Sequence, residues 1–211
     1  MSTVSYTAAP TALDANGVCL AQQLVEAGNL VIAGALATGG VATFGEQQKV
    51  TIASAGNLSA LTFTVYGTTS FGNSVSQAIA GPNNETVSTT ANFKTITRVA
   101  VNGAIETDVI VGNSNAMETP WIMLNDEYPL KGVSVVLSTG ASLTYEVQYG
   151  TRNMVNCAEC ETAILAKADG TLTAKGTSEA VAVTIPWPLA RLKITSFVSG
   201  TATLRVIESA T

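Results

Sequence analysis

Apolar and polar side chains alternate with a period of two along most of the chain. Between Val50 and Ser74 there is no charged residue, and almost every second position is Thr, Ser, Asn or Gly. Successive side chains of an extended strand point to opposite faces, so this alternation predicts strands with one apolar and one hydroxyl-rich side. Leu61, Phe63 and Val65 share such an apolar side. We therefore expect antiparallel sheets whose outer faces are covered by hydroxyls.

Turn residues separate the predicted strands. Gly56-Asn57 lies between two alternating segments and predicts a hairpin. Residues 138–142 (STGAS) separate two further alternating segments and predict the clearest hairpin of the second half, and Ser199-Gly200 predicts a closing hairpin. A strand is also expected before the turn at 102–104. Its predicted shared face contains Phe93, Thr95, Thr97, Val99 and Val101.

These patterns predict an all-β fold of two small antiparallel β-sandwich-like modules preceded by an extended N-terminal arm. The arm is residues 1–45, the first module residues 46–115 and the second module residues 116–211. A linker is expected at 112–120. No stretch of the sequence favours a long amphipathic helix.

The predicted arm is expected to lie on another subunit rather than to fold on its own module. It is apolar from Leu30 to Phe44, too rich in glycine for a stable isolated helix and too uncharged for a disordered tail. Its candidate contact residues are Leu30, Ile32, Leu36 and Phe44. An intramolecular sheet could use the same apolar surface, and that alternative stays open.

Composition limits the classes of partner. Charged residues make up 12% of the chain and the mean hydropathy is +0.32, which is typical of a membrane protein or of one that packs against other protein. The uncharged stretch 27–45 lacks basic flanks, and the first lysine is Lys49, so we expect no membrane span and no signal peptide. Ten scattered basic residues and a net charge of −5 argue against nucleic-acid binding.

The chain contains no histidine, which removes the commonest general base and every histidine-based triad or metal site. Two carboxylates flanking a cleft could still form a glycosidase site. The candidates are Asp108, Glu118, Asp126, Glu127 and Glu146, and their spacing selects no pair. We therefore expect a protein without enzymatic activity and without a cofactor.

Metal binding has two candidate segments. Cys157 and Cys160 form a C-x-x-C motif that indicates two loop thiols, free or disulfide-bonded, or half of a four-cysteine zinc site completed by a second chain. Cys19 is the third cysteine and leaves no even disulfide framework. Asn125-Asp126-Glu127 could bind Ca²⁺, but it lacks spaced ligands and is interpreted as a solvated turn. No metal is expected.

The two tryptophans, Trp121 and Trp187, each have a proline neighbour. An exposed indole could stack on a sugar, whereas a packed indole would anchor the core or a domain boundary. We expect Trp121 and Trp187 to be packed anchors, because flanking prolines fix the backbone without supplying ring-aligned partners for a sugar.

Three segments resemble tailed-bacteriophage virion proteins: the alternating stretch 50–74, the residues SQAIAGPNNETVSTTANFKTITRVAV, and the closing PLARLKITSFVSGTATLRVIES. The similarity extends over most of residues 28–211, and its motifs are structural. The resemblance implies a homo-oligomeric virion component assembled in the host cytoplasm, with the major capsid protein or other virion proteins as partners. Capsid decoration or cement is the expected role; the alternatives are a collar or tail component and a carbohydrate-binding, adhesin-like module.

Overall fold

The computed structural model describes residues 2–124, 130–150, 167–168, 172–184 and 188–208. Every regular secondary-structure element within these residues is a β-strand, and the strands pair antiparallel. The predicted all-β fold class is therefore confirmed. The part of the chain described here contains no helix with the length and apolar character needed to cross a bilayer.

The strands are numbered in chain order. They are β1 (Ser2–Ala8), β2 (Cys19–Leu24), β3 (Gly28–Asn29), β4 (Ala37–Thr38), β5 (Val41–Ser54), β6 (Thr62–Thr68), β7 (Ser74–Ala80), β8 (Thr86–Ser88), β9 (Phe93–Val101), β10 (Ile105–Glu118), β11 (Ile122–Met123), β12 (Leu130–Leu137), β13 (Ser142–Gly150), β14 (Lys167–Ala168), β15 (Glu179–Thr184), β16 (Leu189–Ser199) and β17 (Ala202–Glu208).

The chain forms two compact units. The terminal unit comprises Met1–Ala12 and Ala116–Thr211, and the inserted unit comprises Leu13–Asn115. The chain passes from the inserted unit back to the terminal unit between Asn115 and Ala116. Residues 1–45, however, are not a separate arm: the first twelve belong to the terminal unit, because β1 pairs with β17 over its whole length, and the others belong to the inserted unit.

The inserted unit is built on one curled antiparallel sheet with the order β10-β5-β9-β6-β7; β2 pairs with β10, β3 with β9, and β4 and β8 with β5. β5 shifts register between Thr43 and Gln48, where the consecutive side chains Glu46, Gln47 and Gln48 are all buried. β5 pairs with β9 at Ala42 and Thr43 and again at Gln48, and it pairs with β8 from Thr51 to Ala53, so the sheet can curl around one core. Its large core residues include Phe44, Ile52, Phe63, Phe93, Ile96 and Ile105.

The terminal unit is a sandwich. A four-stranded sheet of order β1-β17-β12-β15 packs on a second sheet that contains β14, β13 and β16, with β11 and the end of β10 paired to β16. Alternate side chains of both sheets point inward and form one apolar core. Its members include Val133, Val135, Leu143, Tyr145, Val147, Leu192, Ile194, Leu204 and Val206.

The residues proposed to fasten an arm to another subunit instead lie in the core of the inserted unit. Leu30, Ile32 and Phe44 are buried there, and the half-buried Leu36 packs against the same cluster. The arm prediction is therefore wrong, and the open alternative, intramolecular use of this apolar surface, is what the fold adopts.

Glycine explains how the segment from Leu30 to Phe44 packs into the core without forming a helix. The amide of Gly34 donates to the carbonyl of Val18 (3.0 Å), and a Cβ at position 34 would lie 2.3 Å from the carbonyl oxygen of Asn16. Only glycine permits this approach of two backbones. The composition that argued against an isolated helix is the one that lets the segment pack closely.

The predicted turns occur, but three predicted hairpins do not. β9 lies between β5 and β6, so the strands on either side of Gly56-Asn57 are not neighbours. The turns at 138–141 and Ser199-Gly200 each carry the chain from one sheet of the sandwich to the other. These two connections bind each other: the amide of Ser138 donates to the carbonyl of Thr201 (3.0 Å), and the amide of Thr201 donates to Ser138 Oγ (2.9 Å).

The predicted linker at 112–120 is also wrong, because β10 continues through it to Glu118. Gly112 lies so close to the backbone of Asp14 that a Cβ would be 2.0 Å from its carbonyl oxygen. Asn113 is fully buried, and its side-chain oxygen accepts a hydrogen bond from the Asp14 amide (2.8 Å). Residues that suggested a linker instead pair this strand with a loop.

The alternation in β9 breaks in its middle. Ile96 is buried and Thr97 is exposed, the reverse of the predicted faces. The register passes from Tyr66 opposite Arg98 to Gly67 opposite Ile96, so Thr97 is the extra residue of a β-bulge. After the bulge, Val99 and Val101 face the core as expected.

Candidate functional site

The outer face of the four-stranded sheet in the terminal unit carries mainly small and hydroxyl side chains. Strand register places on it the residues that alternate with the core positions. Among the described residues of this outer face Arg205 alone is charged. The set is Thr3, Ser5 and Thr7 of β1, Thr203, Arg205 and Ile207 of β17, Gly132, Ser134 and Val136 of β12, and Ala180 and Ala182 of β15.

Most side chains on this outer face are small, and a hydrogen bond between two hydroxyls links neighbouring strands. Thr7 Oγ1 and Thr203 Oγ1 lie 2.9 Å apart across β1 and β17. Arg205 occupies the middle row, with the residues opposite it on both neighbouring strands being serines. Val136 is 47% exposed and Ile207 38% exposed, in the rows on either side. The face can therefore be covered by another protein at little desolvation cost, apart from one guanidinium.

The second sheet of the sandwich carries a polar cluster around Arg191, on the side opposite the core. The guanidinium forms an ion pair with Glu118 (Nη1 to Oε2, 2.7 Å), and its Nε donates to Gln148 Oε1 (2.8 Å). It also lies over the indole of Trp121, 4.4 Å from the ring centroid. Arg191 is buried, so these contacts replace its hydration and fix three strands together.

Trp121 is half-buried. The Arg191 guanidinium covers one face of its ring, and a Cβ on Gly150 would lie 3.2 Å from the six-membered ring. Its buried Nε1 has no hydrogen-bond partner among the described residues. The indole is thus engaged by neighbours of its own unit rather than presented to solvent as a stacking platform. Trp187, the other predicted anchor, lies outside the described residues.

The structure brings together two of the five candidate carboxylates. Register places Lys193 opposite both Glu146 and Glu118, and Lys193 Nζ lies 3.2 Å from Glu146 Oε1. Gln148 Nε2 also donates to Glu146. Each carboxylate therefore pairs with a cation, an arrangement that fixes strands and leaves no acid–base pair poised over a cleft.

The other candidate chemistry is dispersed. Asp108 is exposed on the inserted unit and accepts a hydrogen bond from Gln23 Nε2 (2.9 Å). The remaining candidates lie outside the described residues: Asn125, Asp126, Glu127, Cys157 and Cys160. No group of three or more Cys, Asp or Glu side chains close enough to hold a metal occurs in the described part of the chain.

Two buried groups have strongly shifted pKa values. Burial in the core of the inserted unit raises the pKa of the Cys19 thiol to about 12. In the terminal unit burial, and secondarily the charge of Glu179, raises the pKa of Tyr145 to about 12. Its hydroxyl donates to the carbonyl of Thr177 (2.9 Å). Both groups are neutral at physiological pH, so they act as core residues and not as nucleophiles or bases.

Sequence reasoning missed the part that β1 plays in the outer face. Thr3, Ser5 and Thr7 alternate with Val4, Tyr6 and Ala8, which is the same period of two that identified the later strands. The signal was present within the segment assigned to an arm. Its partner strand, some two hundred residues away, could not be read from the local pattern.

Comparisons with known proteins found a weak structural likeness and no match in sequence. No known protein family matches the sequence, and no curated protein matches it. Among solved structures, the crystal structure of PBSX exported protein XepA aligns with 96% of this chain and 85% of its own length, with a TM-score of 0.29 and 11% sequence identity. A likeness at that level carries no argument about fold or function.

Proposed function

We propose that the chain is a non-enzymatic structural protein of a bacteriophage virion, and more specifically a decoration or cement protein that binds the head lattice in many copies. The sequence resemblance to virion proteins over residues 28–211 supports the first statement. The outer face of the four-stranded sheet supports the second, because a lattice-bound protein needs a broad surface that can be desolvated.

The single observation that carries the proposal is the composition of that outer face. It is formed by threonine, serine, alanine and glycine around Arg205, with Val136 and Ile207 in the flanking rows. Small hydroxyl residues lose little side-chain entropy when they are covered, and their hydroxyls can exchange water for neighbouring backbone groups. Such a face suits a flat protein partner better than a small molecule.

The central charge indicates the chemistry of the partner. If two copies stacked these faces about a twofold axis through the middle row, their Arg205 side chains would approach each other and repel. A capsid surface with a carboxylate opposite Arg205 would instead form an ion pair inside a hydroxyl-rich contact. The proposal therefore assigns this face to the virion partner and not to a second copy.

The test uses particles of the phage that encodes the chain, prepared without this protein and then mixed with the purified full chain. Co-sedimentation and quantitative mass spectrometry measure the copies bound per particle. Ser134→Arg adds a second cation beside Arg205, and Ser142→Arg adds the same side chain on β13, off the outer face. We expect hundreds of copies of wild type and Ser142→Arg to bind, and Ser134→Arg to lose binding.

Equal binding of both variants would overturn the assignment of the face. If only a handful of wild-type copies bound per particle, and the number did not rise with more protein, the result would instead support a collar or tail position. Absence of the protein from mature particles of the same phage would overturn the virion proposal itself. Particle imaging at residue resolution then shows directly whether Arg205 faces the shell.

A further inference from the structure

The inserted unit carries a shallow dish of about 500 Å³ on the outer side of its curled sheet. Three neighbouring strands, β7, β6 and β9, form it, and the central cross-strand row is Ser76, Tyr66 and Arg98. A volume of this size lies in the range of small-ligand sites. The dish is lined by Tyr66, Gly67, Ser74, Val75, Ser76, Thr97 and Arg98.

The β-bulge at Thr97 creates the dish. Because Thr97 and Arg98 together oppose Tyr66, both side chains are exposed on the outer side of the sheet. The bulge is held by Gly67, where a Cβ would lie 1.8 Å from the carbonyl oxygen of Thr95. Thr97 Oγ1 donates to the carbonyl of Tyr66 (3.3 Å), which fixes the extra residue. The site is thus built into the backbone and does not depend on a loop.

Arg98 is oriented by its neighbour. Its guanidinium carbon lies 3.7 Å from the centroid of the Tyr66 ring, so the cation is held over the ring face while the residue stays exposed to solvent. Among the described residues Arg98 forms no ion pair, and no carboxylate lines the dish. A stacked, pre-oriented guanidinium of this kind matches the two oxygens of a carboxylate.

Hydroxyl groups surround the guanidinium. Ser74 and Ser76 are exposed on β7, and Thr97 lies beside Arg98 on β9. The two serine hydroxyls can donate and accept hydrogen bonds and the Thr97 hydroxyl oxygen can still accept one, which suits the several hydroxyls of a sugar ring. We propose that the dish binds an acidic saccharide, with Arg98 holding the carboxylate of a uronic or sialic acid and the serine and threonine hydroxyls holding the ring.

Arg205 shows why a saccharide is favoured over an acidic side chain of a protein. Both arginines are exposed, and each has a serine in its cross-strand row. For Arg205 that serine is directly opposite on β12, and for Arg98 it lies on β7, beyond Tyr66. Within the described ranges no aromatic ring lies against Arg205, whereas Arg98 lies over Tyr66 in a concave site. Concavity and a ring of hydroxyls recognise a compact polar ligand, and a flat face recognises another protein surface.

The inference goes beyond the proposed structural role and does not rest on it, since the dish and the outer face lie in different units. The test titrates the full chain with galacturonate, glucuronate and N-acetylneuraminate, with glucose as the neutral control and acetate and inorganic phosphate as simple anions. Calorimetry or NMR shift changes measure the affinity. Arg98→Gln removes the charge, and Arg205→Gln is the matched control.

We expect at least one acidic sugar to bind more tightly than glucose, acetate or phosphate, with affinity lowered about tenfold or more by Arg98→Gln and unchanged by Arg205→Gln. Circular dichroism of both variants checks that the fold is retained. Binding of acetate or phosphate as tight as that of the sugars would reduce the site to a simple anion site and overturn the proposal. No binding of any acidic sugar, or equal losses in the two variants, would also overturn it.

Discussion

Arg191 and Glu118 form an ion pair of 2.7 Å across β16 and β10, with most of both side chains withdrawn from solvent. The partners of Arg191 extend this pair to Gln148 and Trp121. Because a cation buried without its counter-ion is costly, the cluster should behave as one unit when any member is removed.

Glu118→Gln should lower the free energy of unfolding of the terminal unit by about 2 to 3 kcal/mol, because the buried Arg191 would lose the ion pair that it forms with Glu118. Denaturant unfolding followed by tryptophan fluorescence measures this, since both tryptophans belong to residues 116–211. Lys193→Gln is the control: its side chain is 36% exposed, and its loss should cost less than about 1 kcal/mol. Equal costs would mean that burial of the Arg191 pair is not decisive.

Phe44→Ala should destabilise the inserted unit by about 3 to 5 kcal/mol, because it removes a ring that is 1% exposed in the core. Val25→Ala should have almost no effect, since Val25 is 97% exposed. Hydrogen exchange of β5 and β9 amides reports the inserted unit specifically. If Phe44→Ala left the hydrogen exchange of these amides unchanged but weakened self-association of the chain, the result would contradict the core position of Phe44 and support the arm hypothesis.

Gly67→Ala should cost about 3 kcal/mol, because the new methyl group would meet the Thr95 carbonyl at 1.8 Å and the bulge would have to open. Gly28→Ala is the matched control in β3, where the nearest atom to a new Cβ is 3.9 Å away. Thermal unfolding compares the two variants. A mild effect at position 67 would show that the strand pair can shift without losing its packing.

Stability should fall as the pH rises from 10 to 12. The pKa of Tyr145 is about 12 in the folded chain, against an ordinary value of 10.0, so the unfolded chain loses this proton first. Its contribution to stability is complete below pH 10 and is lost as the pH rises through the folded pKa. Absorbance of tyrosinate at alkaline pH and denaturant unfolding measure this, and Tyr145→Phe should flatten the decline. A Tyr145→Phe profile as steep as that of wild type would contradict the assignment.

Cys19 should resist thiol reagents in the folded protein, because burial raises its pKa to about 12 and no reagent can reach it. A chain with Cys157→Ser and Cys160→Ser isolates this thiol. Labelling by a disulfide reagent at pH 8 should proceed only after denaturant is added. Rapid labelling of the native chain would show that the core around β2 opens readily.

The alternating pattern predicted most strands and their buried faces, because a period of two is a local property. Phe63 and Val65 are buried as expected, and so are Tyr145 and Val147. Partners of strands were predicted less well. The connection at 138–141 has the composition of a hairpin turn, yet it crosses between sheets, and sequence alone does not distinguish the two uses of such a turn.

For the candidate sites, too, the sequence identified individual residues but not which of them the fold brings together. The carboxylates Glu118 and Glu146 could be named from the sequence, but only β16, placed between β10 and β13, brings them to the same lysine. The alternation of 93–101 placed Arg98 only on the side of its strand opposite Phe93 and Val99. Its contact with Tyr66 depends on a bulge that the alternation of 93–101 conceals, because threonine suits either face.

The pairing of β1 with β17 has a consequence for synthesis on the ribosome. Residues 2–8 emerge well before their partners, residues 202–208, have been made. The inserted unit, residues 13–115, can therefore fold while translation continues, whereas the first strand must wait with one apolar side uncovered. Closing so long a loop adds little free-energy cost but delays completion of the sandwich until translation has passed Glu208. An apolar strand that waits in this way is the segment on which a chaperone, or premature contact between nascent chains, would act first.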